Sequence, residues 1–477
     1  MIRSPPRYGR EVARRRAFLF AAALLLRWRR PRRVQSAYNR AMSAPPSATP
    51  DQPSLLRAVS RWQVVALASN DVIGSGVYLL PATAALFLGA ASPWAVLAAG
   101  GLVLMLVLCF AEAGSMFDQP GGAYIYTREA FGDFIGFEVG WMSWIARLTA
   151  TATLSAGFAQ AVQKVWPVAG TEGGRAFTIV VALILLTVVN VAGVKHGART
   201  AVILVVSKVL PLLLLIAVGV FAIQWDRIFP VPAPDAAGLG GAALLLLFAY
   251  AGFENTAAAA GEYKNPQRDV PFGLVVMIVG VTAIYTLIQL VALGVVPDLA
   301  HSRTPLADGA GILFGVAGIY LLTIGAMLSI FGTMNNSVLG GGRYLYALSE
   351  RGHLPRVFAS IHPTFRTPWI AIMVQTGIAL LLALTGSFAE LAQLSVMARM
   401  ASYIGTAAAV LVLRTKMPDT PRRIRLPGGP AIPVAALLVC ALFLTSATSR
   451  NAIAGAIALT VGAVIYLVGS RRARPSE

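Results

Sequence analysis

Only two cysteines occur in 477 residues, Cys109 and Cys440, and both lie inside apolar runs. That leaves no disulfide framework and no cysteine-based metal cluster, and both are read as packing residues. The four histidines, His196, His301, His353 and His362, fall in connecting segments without ligand spacing, so no metal and no cofactor is expected. Charge is scarce too: 12% of positions are charged, with 20 acidic residues against 39 basic ones. No nucleophile elbow, nucleotide loop or catalytic cluster is present, which argues against an enzyme.

What the chain has instead is apolar length. Hydrophobic residues make up 57% of it and the mean hydropathy is +0.71, more than a soluble domain can hide. Runs of ~20 apolar residues recur, each long enough to span ~30 Å of hydrocarbon. The prediction is an all-α integral membrane protein with twelve transmembrane helices, at about 62–88, 93–117, 134–163, 176–194, 200–222, 239–262, 271–295, 310–340, 368–387, 390–413, 431–448 and 451–470. The net charge of +19 does not point to nucleic acid, because of where it sits. With the N-terminus inside, 31 basic residues fall on the inner side and five on the outer, a positive-inside pattern. Both termini are therefore expected in the cytoplasm, and the partner surface is a lipid bilayer. Residues 1–60 read as a disordered basic tail and 471–477 as a cytoplasmic tail. The run 17–26 is too short to span and arginines follow it where a signal cleavage site would need small residues. Residues 1–41 are thus expected to be an extension, with Met42 the working start.

The stretch 70–81, NDVIGSGVYLLP, interrupts the first span with Gly74, Ser75 and Gly76 in a row. Glycine weakens a helix by ~1 kcal/mol relative to alanine, so a local break is expected here. Freed N–H and C=O groups in hydrocarbon are tolerated only where they line a cavity or meet a ligand. A half-helix N-terminus beside bare carbonyls suits a zwitterion. The same glycines would also serve close helix packing. The sixth span repeats the theme in FAYAGFE at 248–254, where a glycine and a carboxylate sit at mid-depth. Breaks in spans 1 and 6 are five helices apart, as inverted repeats over 61–222 and 239–413 would place them.

GSGV at 74–77, PGGAYIYTREAFG at 120–132, FAYAGFE at 248–254, GEYKNPQRDVPFG at 261–273 and RYLYALSERGHLP at 343–355 resemble the amino acid–polyamine–organocation superfamily of permeases. The likeness runs in order through roughly 60–470. It implies a five-plus-five inverted repeat with helices 1 and 6 broken, and two peripheral helices at 431–470. It also implies a secondary active transporter of amino acids working by alternating access. The substrate carboxylate would lie on Gly74, Ser75 and Gly76 beside Ile73. The amino group would meet the carbonyls of Phe248, Ala249 and Ala251 near Glu254, with Phe248 as an outer aromatic gate. Tyr78 departs from the phenylalanine many relatives have. An amino acid/amine antiporter, or a sensor that binds without transporting, are the rival readings.

Three basic residues fall inside spans: Arg147, Lys208 and Arg399. An ionisable group at mid-membrane costs ~2.5–3.5 kcal/mol on insertion scales, so it needs a partner or a task. Lys208 lies nine residues beyond Arg199, about 13 Å along a helix at 1.5 Å per residue. That depth lets its amine reach carbonyls freed near Ile73 and Gly74; the plain alternative is a lysine snorkelling inward. By resemblance Lys208 couples transport to a proton. Ser329 and Thr333, spaced i, i+4, either add hydroxyls to that cation site or simply pack. Glu254 either pairs with a cation or bonds the unwound backbone. Arg147, on a helical face with Gly140, Trp144 and Thr151, is expected to pair with Glu254 rather than meet an anionic substrate group. Glu112 is expected to order an adjacent loop.

Overall fold

A computed structural model describes residues 57, 59–192, 197–234 and 236–472. The expectations for residues 1–56, His196 and the final residues 473–477 lie outside the described residues. Among those described the fold is all helical, and the sole departure is an isolated parallel bridge between Val59 and Tyr263. Val59 N–H donates to Glu262 O (3.1 Å), and Lys264 N–H donates to Val59 O (3.0 Å).

The helices are α1 (Arg61–Val72), α2 (Gly76–Leu88), α3 (Ser92–Gly114), α4 (Ala123–Phe131), α5 (Asp133–Val162), α6 (Glu172–Ala192), α7 (Gly197–Gly219) and α8 (Ala236–Tyr250). They continue with α9 (Glu254–Ala258), α10 (Pro266–Val295), α11 (Pro305–Glu350), α12 (Trp369–Thr385), α13 (Phe388–Lys416), α14 (Ala431–Thr445) and α15 (Ser449–Arg472). Seven helical runs are long and apolar enough to cross a membrane, and three shorter apolar helices accompany them. Large apolar side chains stand exposed on the outside, among them Leu210, Phe221, Leu381, Leu438 and Ile453. That arrangement suits a hydrocarbon solvent and would be a liability in water. The protein is a multi-pass membrane protein.

α5 is the central post. It packs against α11, α12 and α13, and it is buried along most of its length although it carries five hydroxyl residues and Arg147. The hydroxyls bond back along their own helix: Ser143 to Val139 O (2.7 Å), Thr149 to Ile145 O (2.9 Å), Thr151 to Arg147 O (2.9 Å), Thr153 to Thr149 O (2.8 Å) and Ser155 to Thr151 O (2.7 Å). The hydroxyls of this helix can thus sit in an apolar bundle without being orphaned. Trp144 adds a bond from its ring N–H to Gln375 Oε1 (2.7 Å), which fixes α5 to α12.

The segment after α3 does not hang free. It forms α4, whose residues Ala123–Thr127 are buried, and Gly121 N–H donates to Ala258 O (3.0 Å) at the end of α9. Glu112, fully buried, holds a different loop. Arg414 donates to its carboxylate through Nε (2.7 Å) and Nη2 (2.6 Å), and Leu426 N–H adds a third bond (2.9 Å). The predicted loop-ordering role therefore falls on the connection between α13 and α14. α11 outruns the predicted span 310–340 at both ends and bends at Gly315, where φ is 64°. His353 is wedged between the rings of Phe137 and Tyr466 (5.0 and 5.3 Å); burial holds its imidazole below the usual histidine range.

Candidate functional site

The first run stops at Val72 and restarts at Gly76, leaving Ile73, Gly74 and Ser75 outside regular helix. Tyr78 and Leu79 N–H both donate to Ser75 O (3.1 and 3.0 Å). The amides just before them are therefore α2's unpaired N-terminal donors. On the other side, α8 stops at Tyr250 and α9 starts at Glu254. Gly252, with φ of 122°, makes the turn, and a Cβ there would come within 2.6 Å of Asp71 O. The two breaks therefore touch, backbone against backbone. Gly76 serves a second close approach: a Cβ on it would lie 2.8 Å from Ala249 Cα. The packing reading of that glycine holds alongside any ligand role.

The carbonyls freed at the first break are taken by a cluster from α7 and α11. Lys208, completely buried, donates from Nζ to Ile73 O (2.8 Å), Asn70 O (3.1 Å) and Thr333 Oγ1 (3.4 Å). Ser329 donates to Ile73 O (3.0 Å), and Thr333 donates to Asn70 O (3.2 Å). Tyr78 OH in turn donates to Lys208 O (3.1 Å), and Tyr285 OH to Val72 O (3.1 Å). Ile73, Lys208, Ser329 and Thr333 are thus brought together, and snorkelling does not describe this lysine.

At the second break Glu254 accepts from Gly252 N–H (3.1 Å) and from Tyr403 OH (3.4 Å), and its other oxygen forms a buried ion pair with Arg399. The expected Arg147–Glu254 pair is not formed. α13 presents Arg399 beside Tyr403 to the turn, whereas Arg147 lies toward α11, with Nη1 3.5 Å from Asn336 O. Both readings of Glu254, cation partner and backbone ligand, hold at once.

A cavity lies between the breaks. Gly74, Ser75, Gly76, Phe248, Ala251 and Thr333 line it, together with Asp71, Arg147, Asn255, Ser337 and Arg399. Ile73, Ala249, Glu254, Lys208 and Ser329 stand behind that wall. Ser75 Oγ is buried without a hydrogen-bond partner. Phe248 meets Phe388 edge-on at 6.0 Å. Sequence reasoning passed over Asp71, which accepts from Asn336 Nδ2 (2.8 Å), and Asn255 and Ser337. The continuation of the Ser329, Thr333 helical series to 336 and 337 was the available signal. No group of three or more potential metal ligands occurs among the described residues.

Comparison with known proteins gives a match over residues 59–467 to the family model described as "Amino acid permease". The branched-chain amino acid permease BcaP of Bacillus subtilis is 29% identical over 89% of this chain and 96% of its own. The methylthioribose transporter of the same organism is 29% identical, with the same shares covered. Its serine/threonine exchanger SteT is 30% identical over 83% of this chain and 92% of its own.

Proposed function

The chain belongs to the amino acid permease family of the amino acid–polyamine–organocation superfamily, and from that premise we propose that it is a secondary active transporter of amino acids, working by alternating access across the cytoplasmic membrane. In this reading twelve helices cross the bilayer, with both termini cytoplasmic. Residues 61–222 and 239–413 form the two inverted repeats, and 431–470 the peripheral pair. The contact of the two helix breaks at Gly252 and Asp71, with a cavity between them, is the observation that carries it. The α-carboxylate sits on the amides around Gly74, Ser75 and Gly76, where the α2 N-terminus favours an anion. The α-amino group meets carbonyls of Phe248, Ala249 and Ala251. Glu254 keeps that turn open by bonding its backbone.

Coupling in this proposal is to protons. The Lys208 amine already occupies the carbonyls that a metal cation would need, with Ser329 and Thr333 completing its shell. Counterflow in proteoliposomes tests transport itself: labelled amino acid should enter vesicles preloaded with unlabelled amino acid. Uptake under imposed pH or sodium gradients tests the coupling, and a sodium dependence with no response to pH would reject it. The 30% identity with a protein named an exchanger favours antiport as the second reading; uptake into empty vesicles under a pH gradient alone speaks against it.

Phe248→Ala is expected to raise the apparent KM about tenfold or more and to leak substrate, because the ring that closes on Phe388 is lost. Removing a buried phenylalanine costs ~3–5 kcal/mol in a packed core, but Phe248 borders a cavity, so the protein should still fold. Unchanged uptake kinetics would place the gate elsewhere.

A further inference from the structure

Resting on the reading of this cavity as an amino acid site, we propose that Arg147 selects substrates whose side chain carries a second anionic group, which makes the preferred class dicarboxylic amino acids.

Two arginines line the cavity, each with a buried Nε that has no hydrogen-bond partner, and they differ in their ion pairing. Arg399 is neutralised by Glu254. Arg147 is 7% exposed, yet among the described residues no carboxylate oxygen lies within 4 Å of it. Its Nε is buried with no hydrogen-bond partner, and Nη1 makes only the long contact of 3.5 Å to Asn336 O. The guanidinium lies against Gly340, where a Cβ would be 3.0 Å from Cζ, so the backbone of α11 supports it without paying for its charge. A guanidinium buried without a counter-ion is costly, and its fork of donors matches a carboxylate.

The rest of the wall completes the match. The α2 N-terminus offers a place for one carboxylate, and Asp71 beside the carbonyls of the second break offers a place for an ammonium. Arg147 then remains for a second carboxylate. A neutral amino acid would leave it unmet, and a cationic one would be repelled. Discrimination between an acid and its amide at such a site should be about 10–100-fold, from hydrogen bonds to a charged group worth ~1.5–3 kcal/mol.

The test uses the full chain in proteoliposomes, with labelled L-glutamate, L-aspartate, L-glutamine and L-leucine as probes in counterflow, and thermal stabilisation by each as a second readout. The expected result is that the two acids outrank the other two by tenfold or more in the wild type. Arg147→Gln should erase that ranking, lowering affinity for glutamate far more than for glutamine, and Arg147→Lys should restore part of it. Because the wild-type ranking needs no variant, misfolding of Arg147→Gln does not blunt the test. Transport of leucine or glutamine with the acids excluded would overturn this inference and leave the transporter reading standing. Equal loss of all four in Arg147→Gln, with the protein folded, would assign the guanidinium to the α-carboxylate and also overturn it. Transport of no amino acid at all would remove both.

Discussion

Lys208→Met is expected to abolish proton-driven accumulation while leaving binding partly intact. The substitution keeps most of the length of the side chain and removes the amine. Ile73 O and Asn70 O keep hydroxyl donors from Ser329 and Thr333, so the buried carbonyls are not orphaned and the variant should fold. What disappears is the cationic tie between α7 and the end of α1. If that tie forms when the amine is protonated and breaks when it is not, proton binding and helix arrangement are linked through the different affinity of each state for the proton. One proton per substrate supports about tenfold accumulation per unit of imposed pH difference. Wild type should approach that slope and the variant should show none, equilibrating substrate without concentrating it. Uptake into proteoliposomes across a series of pH gradients measures both. Full accumulation by the variant would remove Lys208 from the mechanism.

Gly252→Ala is expected to be strongly damaging, because it drives the two helix breaks apart. The new Cβ would lie 2.6 Å from Asp71 O and 2.9 Å from its carbonyl carbon, on a backbone with φ of 122°. Both neighbours are backbone, so neither can swing aside. The conformational strain alone is roughly 1–3 kcal/mol, and relief requires the two breaks to separate. Transport should fall at least a hundredfold and the thermal midpoint should drop. Gly101→Ala is the control, since a Cβ there meets nothing within 4 Å; it should leave both unchanged. Near-normal transport in Gly252→Ala would show that the contact between the breaks is dispensable.

Much of this site was legible in the sequence, for physical reasons that can be named. Glycine inside an apolar run has a cost, and hydrocarbon forgives exposed backbone nowhere except at a cavity, so 74–76 and 252 stood out. Lys208 was placed beside the first break by the family resemblance, and its depth along the helix made the reach feasible. Pairing among Arg147, Glu254 and Arg399 was not legible. Three in-span charges allow two pairings, and the choice depends on which face each helix turns to the second break. Helical spacing gave Arg147 a bundle-facing side, correctly, but could not show that Tyr403 and Arg399 would reach Glu254 first. Gly76 was read both for a ligand and for close packing; that its packing partner is Ala249, far away in the chain, is a contact that periodicity does not encode. The end of α11 was set too early because RYLYALSE is polar enough to leave the hydrocarbon while remaining helical.

The short bridge between Val59 and Tyr263 has a practical use as a gauge. Its two backbone bonds join the residues just before α1 to those just after α9, the far ends of the two interrupted helices. Those ends cannot part by more than an ångström or so without breaking both bonds. The amide hydrogens of Val59 and Lys264 should therefore exchange with deuterated solvent only as often as that end of the molecule opens. Their exchange rates, followed with and without substrate, would count the openings directly, with no label attached to the site itself.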